Sequence, residues 1–318
     1  MRLLFRLLLT AVVAFAAGAW LLVRENPEAE FWAELRGRQD QELAELRSAR
    51  PAEPVLLFAG GSSCAFSVDP GIITAGTGMG AVNFGTSAWS GPKYYVAEVF
   101  RRANPGDRVV LGIESNFLTE PGLMEPTPLG LALAWGEGDP DAAVGGPFFG
   151  DSLGIREHAG LLRPGARFLV TWLAKRIAGG ERYYYSMADL RPGGRLETRR
   201  GHPGGKGDPE IHPGSLTPEA KDFLEAVARR SRESGVGMVY TLPWYFTAPE
   251  SAEANREARR QLLTEIAAIM PVLDDPMLGV CTEPGWFADT NFHLTATGSE
   301  KRSRFLAGAL ASWLESGE

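Results

Sequence analysis

Two short stretches near opposite ends of the chain hold the residue types of nucleophilic catalysis. The first is Phe58-Ala59-Gly60-Gly61-Ser62-Ser63-Cys64, where a serine follows an apolar run and a pair of glycines. Glycines permit a tight turn, and the amides at a helix start favour a developing anion. Ser62 is the candidate nucleophile, with Ser63 as its alternative. The second is Ala288-Asp289-Thr290-Asn291-Phe292-His293-Leu294, with an aspartate four residues before a histidine. A carboxylate so placed can hold an imidazole in the tautomer a general base needs. Read alone, each stretch also has a plainer meaning: a Ser-rich turn, and a capping Asp beside a core His. The chain has four histidines, the others being His158, His202 and His212. His202 and His212 lie among Gly and Pro near Asp208 and Glu210, as solvated loop residues or as a loop metal site. No metal and no cofactor is assigned to the chemistry.

These stretches must be positioned by the elements around them. Val55 to Phe58 is a continuous apolar run bounded by Pro54 and Gly60-Gly61, the pattern of a strand buried on both faces. Arg108 to Ile113 reads as a second strand, Gly237 to Leu242 as a third, and Val272-Leu273 as a short fourth. Helices are expected at 90–103, 250–269 and 298–315, and from Thr217, which caps a helix with Pro218 at its first position. Alternating strands and helices imply an α/β fold, a three-layer sandwich with a central parallel sheet. Residues 117–215 break the rhythm and read as an insertion at the carboxyl end of the second strand, where such sheets place their sites. A helix is expected over 161–177. The glycine-rich part near 191–210 also fits a disordered loop.

Taken together, the two ends resemble the SGNH hydrolases, or GDSL-type esterases. Gly60-Gly61-Ser62 matches the block that carries the nucleophile, followed by Val68-Asp69-Pro70 as in membrane-anchored members. Asn83-Phe84-Gly85-Thr86-Ser87 resembles the second block, which implies Gly85 as an oxyanion-hole donor. Gly112-Ile113-Glu114-Ser115-Asn116 occupies the third, which implies Asn116 as another. Asp289 and His293 match the last block in the wider spacing of anchored relatives. Two features depart from the family pattern: no Asp stands between Gly61 and Ser62, and the third block is not Gly-x-Asn-Asp. The resemblance covers about 55–116 and 217–315. It implies a Ser62-His293-Asp289 serine esterase or O-acyltransferase acting on acyl groups, such as acetyl, of an envelope glycan or lipid. A literal Gly150-Asp151-Ser152-Leu153 lacks a preceding strand and falls out of order with the other blocks, so Ser152 is set aside.

Residues 1–24 form a membrane end. Arg2 and Arg6 precede an uncharged run from Leu7 to Val23, at the short limit for crossing a bilayer. An uncleaved anchor is expected, with the cytoplasm on the arginine side and the rest periplasmic or extracellular. Ala17-Gly18-Ala19 also has the form of a signal-cleavage site. Residues 25–52 read as a charged juxtamembrane helix, a spacer before the α/β domain of 53–318. With 44% hydrophobic and 22% charged residues the chain is a folded one, and a net charge of −7 argues against a nucleic-acid partner. If Ser62 and His293 meet, Cys64 and Cys281 become neighbours, and export would allow a disulfide between them; two buried thiols are the alternative. The alternative function is a non-catalytic module on the same fold that binds an envelope glycan or an assembly protein. It would use Trp135, Trp172, Tyr183 to Tyr185 and Trp244.

Overall fold

The computed structural model describes residues 1–162, 166–178, 183–198 and 205–316. Two long helices come first, α1 (Arg2–Arg24) and α2 (Pro27–Ala49). The sheet region then runs β1 (Leu56–Gly60), α3 (Ser62–Ser67), α4 (Pro70–Thr77), β2 (Ala81–Asn83), α5 (Pro92–Arg102), β3 (Arg108–Gly112) and α6 (Ser115–Thr119). Next are α7 (Pro128–Gly136), α8 (Gly146–Phe149), α9 (Ile155–Leu161) and α10 (Ala166–Ala178). The chain returns through α11 (Pro218–Ser234), β4 (Gly237–Tyr240), β5 (Tyr245–Phe246), α12 (Ala252–Ala267), β6 (Val280–Cys281) and α13 (Ala296–Ser316).

Four strands form one parallel sheet in the order β2-β1-β3-β4, and β5 pairs with β6 in a separate parallel ribbon. Strand side chains alternate between faces, and here both faces are apolar. Leu57, Val109, Leu111 and Tyr240 face a core shared with α2, α5, α7 and α11. Leu56, Phe58, Val110 and Val239 face a second core closed by Ile73 of α4 and Leu306, Leu310 and Trp313 of α13. Helices therefore cover both sides, which is why the strands read as unbroken apolar runs. Thr217 caps α11 as its sequence indicates, its hydroxyl accepting from Ala220 N–H at 3.1 Å.

Two expectations change. Val272-Leu273 is no strand of the sheet; Val272 makes only an isolated bridge to Tyr240. The strand taken as second is β3, because β2 intervenes. Residues 117–215 add no strand among the described residues, yet α7 sinks Leu129, Leu131 and Leu133 into the main core.

Residues 25–52 are also more than a spacer. Phe31, Trp32, Leu35 and Leu43 of α2 are buried in that core. Arg36 beside them reaches Glu98 of α5 (2.6 Å) and Glu137 (3.2 Å). A buried guanidinium is tolerated because both carboxylates meet it. Immediately before α2, α1 is exposed along most of its length and is long and apolar enough to cross a membrane.

Candidate active site

The site lies at the carboxyl ends of β1 and β3, which pair to their last residues, Gly60 and Gly112. Gly61 then turns the chain into α3, and it lies so close to the Glu114 carboxylate that a side chain there would collide with it. This is the packing reason for a glycine before the serine. Ser62 is the first residue of α3, partly exposed. Ser63 is fully buried, and its N–H donates to Glu114 Oε1 at 3.1 Å. Its neighbours in a small internal space are Phe58, Cys64 and Val110. Of the two serines, only Ser62 faces a cleft.

That cleft holds about 670 Å³ and is lined by Ser62, Glu114, Asn116 and His293, with Trp32, Trp89, Tyr184 and Phe292 around them. Ser62 and His293 thus line one cleft from 231 positions apart in sequence. A ring contact joins α3 to the histidine loop. Phe66 stands one turn after Ser62 on α3, and residues four apart on a helix lie about 5–6 Å from each other on one face. The His293 ring stacks on Phe66 with centroids 4.2 Å apart.

The loop that carries His293 is closed by its own backbone. Phe287 and Leu294 form an antiparallel bridge, and Ala288 N–H donates to His293 O at 2.7 Å. Thr290 Oγ1 accepts from the N–H groups of Phe292 and His293, at 3.2 and 3.1 Å. This tight loop brings the Asp289 carboxylate to the imidazole, with Oδ1 2.9 Å from Nδ1. Burial alone would raise the Asp289 carboxyl. The hydrogen bond and charge of His293 and a bond from Tyr185 outweigh it and hold the group below its usual range.

Tyr185 is the participant that the sequence did not announce. Its hydroxyl donates to Asp289 Oδ2 at 2.9 Å, and its oxygen lies 3.1 Å from His293 Nδ1. Burial and the neighbouring Asp289 charge keep this phenol protonated, so it remains a donor. Nδ1–H is therefore met by Asp289 and Tyr185 together. Nε2 has no protein partner among the described residues. Tyr185 is itself held among Phe66, Trp32 and Tyr183. The only forewarning was the aromatic run Tyr183 to Tyr185, whose pairing with a loop about a hundred residues on has no local signature.

Glu114, in the block that departs from the family pattern, reads from sequence as a structural carboxylate or a substitute polar group. It is buried, and burial pushes its carboxyl up; bonds from Ser63 and the charge of His293 offset part of that rise. Asn116 lines the cleft, and its Oδ1 is buried without a partner.

Gly85 is placed differently from its expected role. Its N–H donates to Asn83 Oδ1 at 2.8 Å and its carbonyl accepts from Gln39. It is not among the cleft residues, where Ser87 and Ala88 stand in its place. The reason is Asn83, fully buried, which also donates to the carbonyls of Cys64 and Val68, each at 3.0 Å. This side chain ties the β2 loop to α3 and uses the Gly85 amide to do so. Gly85 is needed for close packing, since a Cβ there would strike the backbone at Ala65.

Cys64 and Cys281 are both buried free thiols, so no disulfide joins them. Cys64 Sγ–H points at Asn83 Oδ1 (3.4 Å), whereas Cys281 packs among Trp244, Phe246 and Phe287. Ser152 lies in a loop after α8 with no strand before it. His158 bonds the Gly154 carbonyl through its ring, at 3.1 Å. His212 Nε2 meets Tyr245 Oη at 3.0 Å and lies 3.6 Å from Asp208. No group of three or more potential ligands is arranged for a metal among the described residues, and His202 lies outside them. Of the aromatic residues proposed for glycan binding, Tyr183 to Tyr185 line the cleft. Trp244 is a core residue stacked on Trp286, and Trp135 lies near His158. No protein-family model and no curated protein matches this chain.

Proposed function

We propose that this chain is a serine esterase or O-acyltransferase of SGNH type, held to a membrane by α1, with its α/β domain on the periplasmic or outer side. The observation that carries the reading is one cleft lined by both Ser62 and His293, with His293 Nδ1 engaged by Asp289 and Nε2 without a partner among the described residues. In this mechanism Ser62 Oγ attacks the ester carbonyl while its proton passes to His293 Nε2. The Ser62 N–H and the Asn116 side chain hold the oxyanion. Collapse breaks the bond to the alcohol, which leaves with the proton from His293, and an acyl-serine remains. Water or an acceptor hydroxyl then enters by the same path, losing its proton to His293 as the serine is regenerated. Asp289 and Tyr185 orient the ring and offset the imidazolium charge that forms in each half.

A non-catalytic binding role gives no reason for a histidine held by both an aspartate and a tyrosine beside a cleft serine. The test is hydrolysis of p-nitrophenyl acetate and butyrate by the full chain in detergent. Wild type turns them over, whereas Ser62→Ala and His293→Ala fall to the buffer rate with unchanged circular dichroism. Equal rates for wild type and both variants would refute the proposal.

A further inference from the structure

The uncharged run Leu7–Val23 is 17 residues, about 26 Å as a helix, against a hydrocarbon core of about 30 Å. All of it is needed to span. Yet Gly18 and Leu22 are already buried where α1 packs on α7. The last turns of the span and the adjoining surface of the domain therefore share one depth. Trp20, of the residue type that favours the membrane interface, is exposed there.

The helix α10 is tied to that level. Arg176 pairs with Glu25, the residue after α1, at 2.9 Å. Val170, Leu173 and Ile177 are 67%, 51% and 78% exposed, and their spacing puts them on one stripe of the helix. Such a stripe at the foot of a spanning helix matches a helix lying in the membrane interface. The cleft is close to the same level. Glu28 is four residues from Arg24, at most about 14 Å along the chain. It lines the cleft with Trp32, Tyr183 and Tyr184, and accepts from Tyr183 at 3.1 Å.

We propose that α10 lies in the interfacial layer of the bilayer α1 crosses and that the Ser62–His293 cleft opens onto that surface, so that the ester it acts on is carried by a membrane lipid. The lipid claim rests on the esterase reading above; the depth of α10 does not. A lipid ester then reaches Ser62 by diffusing in the plane of the bilayer, with its acyl chains remaining in hydrocarbon.

Two readouts on the full chain in phosphatidylcholine–phosphatidylglycerol vesicles test this. In a Cys64→Ala, Cys281→Ala background, an environment-sensitive fluorophore is attached at Leu173→Cys. The reference is Arg304→Cys on α13, across the sheet from α2. Lipids carrying a doxyl group at carbon 5 should quench the label at 173 at least threefold more than the label at 304, and aqueous iodide should show the reverse order. Equal quenching by iodide at both sites would overturn the placement, as would protection of residue 173 from both quenchers, which would indicate a protein cover. The second readout is the rate of Ser62 modification by a vesicle-borne hexadecyl fluorophosphonate relative to a soluble ethyl one. This ratio should be at least tenfold in wild type and should drop at least fivefold in Leu173→Glu/Ile177→Glu. A ratio near one, or one unmoved by the glutamates, overturns the lipid claim. Modification by neither probe removes the esterase reading and the lipid substrate with it, whatever the depth of residue 173.

Discussion

Replacing Asp289 with Asn changes one atom of the carboxylate and should nearly abolish reactivity of Ser62. The wild-type carboxylate only accepts, from His293 Nδ1–H at 2.9 Å and from Tyr185 at 2.9 Å. An asparagine must turn its NH₂ toward one of them. If the NH₂ faces His293, Nδ1 becomes an acceptor and the ring proton moves to Nε2, where it blocks uptake of the serine proton. If the NH₂ faces Tyr185, the amide oxygen still accepts from Nδ1–H and keeps the productive tautomer, but the phenol loses its acceptor and two donors confront each other, so this rotamer is disfavoured. The favoured rotamer disables the base, and neither rotamer leaves a negative charge opposite the imidazolium. Loss of the correct tautomer in such an arrangement costs about 10⁴-fold, or about 5.5 kcal/mol of barrier. The assay is the second-order rate of fluorophosphonate labelling at pH 8, with folding checked by circular dichroism. A folded Asp289→Asn protein labelled within threefold of wild type would refute the role assigned to Asp289.

Other outcomes follow from the groups around the site. The raised Glu114 carboxyl means that folding favours its protonated form, so its cost is absent below the unfolded carboxyl range, near pH 4, and grows as pH rises through the folded pKa. Glu114→Gln should therefore be more stable than wild type to urea at pH 8, with the difference vanishing by about pH 3.5; a constant difference would contradict this. Asn83→Ala strands the Val68 carbonyl and the Gly85 amide in the core, while the Cys64 carbonyl keeps its bond from Val68 N–H, and at about 1–3 kcal/mol per unsatisfied group should cost about 2–6 kcal/mol by urea midpoint. Burial pushes the Cys281 thiol up to about 12 and the Cys64 thiol higher still. Iodoacetamide at pH 8 should accordingly leave both intact in the native protein and modify both in urea without a reductant.

The parts of the fold that were legible are those written in unbroken apolar runs or capped helices: β1, β3, β4, α5, α11, α12 and α13. The strand β2 escaped notice because three residues carry no periodicity. The packing of α2 escaped because its composition is charged, and only the tertiary partners Glu98 and Glu137 let Arg36 be buried. At the site, the Asp289–His293 contact is legible in their spacing of four, whereas Ser62 stands out only through the family resemblance, since a serine-rich turn alone has a plainer meaning. Tyr185 could not be read from sequence, since its meaning depends on a loop 104 positions away. Gly85 sits in a motif-like block, but its amide is taken by Asn83, a choice made by a buried side chain rather than by spacing.

The most direct test of the account is to react the full-length protein with a fluorophosphonate and locate the adduct by peptide mass spectrometry. The adduct should fall on Ser62, be absent in Ser62→Ala and form far more slowly in His293→Ala. An adduct on Ser63 or Ser152, or none on a folded protein, would contradict the assignment of this cleft as a serine-hydrolase site.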